Sequence, residues 1–299
     1  MYVLLFKNSL MISRSTLLHL RIPFSFFLMP IFLFALFASP QKPIWQAFLS
    51  FIAIHLFLYP ASNGYNSYFD KDEDSIGGLK NPPKVSLQLY WVSLIFDLIA
   101  LLIGLFVNLP FTLMLFIYGL ISKAYSHPAI RLKKRPVWGW LAAGLFQGFF
   151  TFMMVLVALN GFDWQWLWQW QFVLPALLCS FFLWGSYPMT QVYQHEEDKR
   201  RGDITLSIKL GILGTFHFTA ILFFLATIGY IYYFIEFFSL PIAIYYTVLL
   251  LPVLIFFSIW YFKVRKDRIN ADFQRTMWLN IISATALNIF FITASLFIN

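Results

Sequence analysis

Cys179 is the only cysteine in 299 residues. Without a second thiol there is no intramolecular disulfide framework, and cysteine usage says nothing about redox compartment. Charge is also scarce: charged residues make up 11% of the chain and hydrophobic ones 60%. A mean hydropathy of +0.73 and 37 phenylalanines exceed what a water-exposed surface can hide, which excludes an ordinary soluble domain. The chain therefore reads as an integral membrane protein. No low-complexity linker, heptad repeat or soluble block interrupts it, so residues 1–299 are expected to form a single all-α transmembrane domain. The opening "MYVLLFKNSLMISRSTLLHLRIP" interleaves apolar residues with Lys7, Arg14 and Arg21, which is not the order of a secretory signal and predicts no cleavage.

Nine apolar runs follow, at 20–39, 44–61, 86–107, 109–125, 138–159, 170–191, 212–235, 239–262 and 277–298. Each is close to the roughly 20 residues that cross the hydrocarbon core as a helix. With the amino terminus in the cytoplasm, the loops near 62–85, 126–137, 192–211 and 263–276 share the cytoplasmic side, and of 21 Lys and Arg residues only Lys42 falls outside. Positive residues in short loops resist translocation, so this asymmetry predicts a cytoplasmic amino terminus, a carboxyl terminus on the opposite side, and placement in a bacterial inner membrane. It also accounts for the net charge of +8 without a nucleic-acid partner; the partner implied is the lipid bilayer. "DWQWLWQW" at 163–170 suits a headgroup belt on the other face.

Within this oily background the acids are clustered. "NSYFDKDEDSIGG" at 66–78 places Asn66, Asp70 and Asp74 four apart, on one face if the second span continues as helix. Like charges at that spacing repel, so a cation is expected there. Two carboxylates and an amide oxygen form a hard-oxygen set suited to Mg²⁺, which fills its octahedron with water and substrate phosphate. A second cluster, "QVYQHEEDKRRGDITLSIKLG" at 191–211, repeats the spacing with Gln194 and Asp198 and adds Lys199, Arg200, Arg201 and Lys209. Two such loops on one side of a bundle can hold a diphosphate between them.

These two segments, together with "YSHPAIRLKKRP" at 125–136, resemble the signature elements of the UbiA superfamily of intramembrane aromatic prenyltransferases. The resemblance covers essentially the whole chain. It implies nine transmembrane helices in one bundle, with a central cavity open to the cytoplasmic side. It also implies Mg²⁺-dependent transfer of an isoprenoid chain from an allylic polyprenyl diphosphate to an aromatic or other lipid-precursor acceptor, with quinone biosynthesis the pathway expected. In that reading Asp70, Asp74 and Asp198 are catalytic and, with Asn66 and Gln194, hold the metal. Asn66, Arg131, Lys133, Lys199, Arg201, Arg21 and Tyr125 contact the diphosphate. One position departs from the family: Gln194 stands where an Asp is usual, and contributes an amide oxygen but no charge.

An allylic cation needs dry, polarisable walls. Tyr65, Tyr68, Phe69, Tyr125, Trp184, Tyr187 and Tyr193 lie near the right ends of their spans. "GLFQGFF" at 144–150 could relax packing for a prenyl tail or serve close helix contact. Asp97 stands alone in the third span, with Ser93 one turn away as its local partner. Two other readings remain open: a transporter for a cation or phosphorylated solute, and a family member weakened in catalysis that binds an isoprenoid. Against transport, all acids except Asp97, Asp163 and Glu236 sit at the cytoplasmic boundary, where interfacial catalysis would use them.

Overall fold

A computed structural model describes residues 12–298. Lys7 and the rest of the first eleven positions lie outside it. Among the described residues the chain is helical, with no strand beyond a single bridge between Ile76 and Leu79. Helix α1 is bent by 42° where Arg14–Phe27 meets Met29–Ala38. It is followed by α2 (Ile44–Asp70), α3 (Leu87–Leu105), α4 (Leu109–Ser126), α5 (Pro136–Asn160) and α6 (Trp170–Met189). A short α7 (His195–Arg201) precedes α8 (Leu206–Phe237), α9 (Leu240–Lys266) and α10 (Phe273–Ile298). Among the described residues eight helices are long and apolar enough to cross a membrane, nine when the bent α1 counts as one span, in agreement with the expected number.

The bundle is layered by burial. Over their most apolar stretches α5 and α6 are 61% buried, whereas α3, α4, α8 and α9 are 28% buried, so the first pair is central and the others face outward. Outward positions carry large apolar side chains such as Ile44, Phe106 and Phe224, which only a lipid environment can accommodate. The centre is an aromatic core in which Phe34 stacks on Phe291 at 4.7 Å and meets Phe152 edge-on at 5.3 Å. Trp164, Trp168 and Trp170 are exposed, as a belt requires, while Trp166 packs on Phe172.

Two helices carry wide π turns. In α2 the turn spans Ile52–Leu58, just ahead of Pro60, whose ring cannot coexist with an ordinary carbonyl one turn earlier. In α5 it spans Leu145–Phe150, the stretch containing Gly148. A Cβ at Gly148 would lie 2.6 Å from the Ser180 backbone, and Ser180 Oγ donates to the Gly144 carbonyl at 2.9 Å. The glycines of "GLFQGFF" therefore bring α5 against α6 rather than opening space for a tail. Asp97 forms an ion pair with Lys123 of α4, while Ser93 donates to the Leu89 carbonyl at 2.8 Å, so the expected Ser93 partnership gives way to an interhelical charge pair.

Replacing Gly148 with alanine is expected to push α5 off α6. The change should cost roughly 1–3 kcal/mol, read as a lower midpoint in thermal unfolding of the detergent-solubilised protein; an unchanged midpoint would refute the close-packing role.

Candidate active site

The first acidic segment does not run on as helix. Lys71 adopts a left-handed conformation (φ 51°, ψ 44°) and its N–H bonds the Ser67 carbonyl, so α2 stops at Asp70. The single face expected for Asn66, Asp70 and Asp74 is thereby corrected. Asn66 and Asp70 remain on the helix, and the chain turns so that Asp72 points inward instead of Asp74. Asp74 is 60% exposed and pairs with Arg200. The reason is local: once the left-handed residue ends the helical repeat, a spacing of four no longer marks a face.

Asn66, Asp70 and Asp72 line a cavity of about 240 Å³ at the ends of α2, α4 and α6. Lys133, Tyr125 and Arg21 line it too, as do Gln194, Asp198, Arg201 and Asp203 from the segment after α6. The two acidic segments thus share one hollow. Lys133 forms an ion pair with Asp70, and Arg131 Nη2 lies 3.9 Å from the same carboxylate. Arg131 also donates to Asp203 from Nε at 3.3 Å and Nη2 at 2.9 Å. The two basic residues therefore tie the end of α2 to the segment following α7. Arg201 closes a second network by pairing with Asp72 and Glu197.

Of the expected diphosphate ligands, Arg131 does not line the cavity but is fixed beside it by Asp203. Lys199 is 57% exposed and pairs with Glu196 at 3.5 Å, away from the hollow. Arg21 reaches in from α1 and donates to the Gly77 carbonyl at 3.1 Å. Asn66 Oδ1 accepts from Ser126 Oγ at 2.6 Å. Among the expected aromatic wall, Tyr125, Tyr187 and Tyr193 line the cavity, and the first two hydroxyls bond each other. Tyr65, Tyr68 and Phe69 instead cluster with Tyr90, and Trp184 packs on Trp140.

Asp72, Asp203 and Glu197 were not anticipated from spacing. Asp203 is five residues beyond Asp198, and Gly202 in the left-handed conformation turns it back so that its N–H bonds the Asp198 carbonyl at 2.9 Å. The "RGD" glycine at a helix end was the one available signal.

Crowding sets the electrostatics. Burial first, then the neighbouring Asp70 charge, pushes the Asp72 carboxyl above the usual range against the pull of Arg201 and Lys133. Burial likewise lifts Asp198 to about 7, opposed by Lys133 and Arg201 and reinforced by Asp203 and Asp72. Its Oδ2 is buried with no hydrogen-bond partner. A buried carboxylate oxygen without a partner beside further acids is a position for a cation. Among the described residues no three Asp, Glu, His or Cys side chains converge on one point. A hard cation such as Mg²⁺ takes one or two protein carboxylates and completes its shell elsewhere.

The sequence profile of the UbiA prenyltransferase family matches residues 27–282. The chain belongs to that family. Solved structures share its fold at low identity. A UbiA homolog from Aeropyrum pernix K1 in its apo state is 19% identical with a TM-score of 0.69, over 90% of this chain and 98% of that one. A UbiA homolog from Archaeoglobus fulgidus bound to GPP and Mg²⁺ is 19% identical with a TM-score of 0.65, over 93% and 98%. A structure described as digeranylgeranylglyceryl phosphate synthase in membranes is 22% identical with a TM-score of 0.60, over 93% and 97%. No curated protein sequence matches the chain.

In this UbiA family member Asp198 must lose its proton to hold a cation, and its pKa of about 7 lies above the ordinary carboxylate range. Mn²⁺ affinity, followed by electron paramagnetic resonance in detergent, is therefore expected to weaken by up to about tenfold per pH unit below neutrality. Asp198→Asn should flatten that dependence. An unchanged profile in the variant would assign the titration to another group.

Proposed function

We propose that this membrane protein transfers an isoprenoid chain from an allylic polyprenyl diphosphate to an aromatic or other lipid-precursor acceptor, releasing diphosphate. The observation that carries this reading is the convergence of two acidic segments and Lys133 on one cavity, whose lining includes Asp198 with a buried, partnerless carboxylate oxygen. Family membership and a fold shared with a homolog bound to GPP and Mg²⁺ support the same substrate class.

In the proposed reaction the allylic C–O bond breaks with its electron pair leaving on the diphosphate, a bond forms between the allylic carbon and the acceptor, and the acceptor gives up a proton. Asp70 and Asp72, with the Asn66 amide oxygen, on one side of the cavity and Asp198 on the other are the groups that would hold Mg²⁺, any one ion taking one or two of these carboxylates; Asp74 could join only if the loop beyond Lys71 turned inward. The ion would supply Lewis-acid stabilisation of the departing diphosphate. Lys133 is placed to meet a phosphate oxygen once it is drawn from Asp70, with Arg21 and Arg201 on the other walls. Arg131, held by Asp203, keeps positive potential behind Asp70. Tyr125, Tyr187 and Tyr193 line the cavity, where aromatic rings would exclude water and stabilise a delocalised cation. The lipid-facing bundle lets an insoluble tail stay in the bilayer while its charged head enters the hollow. The cavity end would face the cytoplasm, a side consistent with the basic loops around it.

Membranes containing the protein, supplied with labelled geranylgeranyl or longer diphosphates, Mg²⁺ and a panel of aromatic acids, are expected to consume an acceptor and release diphosphate. Asp70→Ala should lose this turnover while still inserting in the membrane. Wild-type membranes that release no diphosphate with any acceptor, or an Asp70→Ala variant as active as wild type, would overturn the proposal.

A further inference from the structure

Gln194 occupies the place where the resemblance implies a metal-binding acid, yet its amide nitrogen is engaged elsewhere. It stands at the start of α7 without capping that helix, and its Nε2 donates to the Ser75 carbonyl at 3.1 Å. A carbonyl oxygen only accepts, so the amide nitrogen must face Ser75. The same short helix holds the preceding residues of that strap. Glu197 Oε1 accepts the backbone N–H groups of Glu73 at 3.0 Å and Asp74 at 3.4 Å, and Arg200 and Arg201 pair with Asp74 and Asp72. Farther along, the strap turns back on itself through reciprocal Ile76 and Leu79 backbone bonds of 2.9 and 2.8 Å, while Arg21 holds the Gly77 carbonyl. Asp72, Ile76 and Gly77 from this strap form one wall of the cavity.

An aspartate at position 194 would set an anion toward the Ser75 carbonyl, and two facing acceptors need a cation between them. The glutamine N–H removes that need. We propose that Gln194 is a latch: a positioning residue that fastens the 72–77 strap to the second acidic segment by a direct hydrogen bond, without a divalent ion, and leaves Asp198 as that segment's cation ligand. This wall then stays fastened with or without the ion. The inference concerns the order of the strap and does not rest on the proposed reaction.

Hydrogen exchange of residues 72–79, measured by mass spectrometry on the full-length protein in nanodiscs, tests it. Wild-type protection is expected to be the same in EDTA and in Mg²⁺. Gln194→Leu and Gln194→Glu, which both lose the donor, should exchange this segment about threefold to tenfold faster in either condition, the range for one lost hydrogen bond. Gln194→Asp should restore protection only when Mg²⁺ is present, a cation dependence that a merely structural residue would not create. In parallel, Mn²⁺ titration should show wild-type affinity in Gln194→Leu and a marked loss in Asp198→Asn. The latch is overturned if the wild-type strap exchanges freely in EDTA, if Gln194→Leu exchanges as wild type does, or if Gln194→Leu loses Mn²⁺ as severely as Asp198→Asn. None of these readouts involves turnover, so an inactive protein would sink the transferase reading and leave the latch to be decided by its own data.

Discussion

Four aspartates, Asp70, Asp72, Asp198 and Asp203, face one small hollow, and their mutual repulsion is the constraint to which the surrounding structure answers. A buried charge left alone costs several kcal/mol, so each acid must find a cation or keep its proton. Lys133 and Arg131, from the segment between α4 and α5, and Arg201 from α7 supply most of the compensation. Each of these pairs crosses between segments far apart in sequence, so the charge balance is also what joins the ends of α2, α4 and α6. Asp198 is the acid left incompletely satisfied, and a site built to receive a further cation has that property.

The membrane portion serves this end of the molecule by holding helix ends still. Backbone groups in hydrocarbon must be satisfied within the helix, so straight spans offer little irregular structure for function. The irregularities within the spans are local, among them the bend in α1, the π turn ahead of Pro60, the wide turn through Gly148 where α5 closes on α6, and the kink at Gly211 in α8. The Asp97–Lys123 pair similarly joins α3 to α4 where an isolated acid would be expensive in the bilayer. Irregular backbone appears chiefly beyond the span ends, in the strap after Lys71 and in the turns around α7. There the chain can bend two acidic segments toward each other. His195 contributes to this by bonding Ser207 at 2.8 Å, which ties α7 to the start of α8.

Much of this was legible in the amino acids. Span number and rough limits follow from hydropathy, because each apolar run independently has to be as long as the hydrocarbon is thick. The pairing of the two acidic loops, and Lys133 and Tyr125 between them, was also legible, since short motifs keep their residues whatever the packing. Periodicity misled where its premise failed: the spacing of Asn66, Asp70 and Asp74 marks a face only while the backbone stays helical, and Lys71 ends that. Lys199 was expected inside with Arg201, but neighbours on a helix point in different directions and only Arg201 turns to Asp72.

Composition and local pattern were enough for a membrane-embedded helical chain with acids gathered at one boundary, because hydropathy and charge act residue by residue. Which of those acids share a cavity, which base neutralises each, and whether Gln194 meets a cation or a carbonyl depended on how distant segments pack. Those pairings join residues 63 to 129 positions apart, from Lys133 with Asp70 to Arg201 with Asp72, and no rule of local spacing reaches across such a separation.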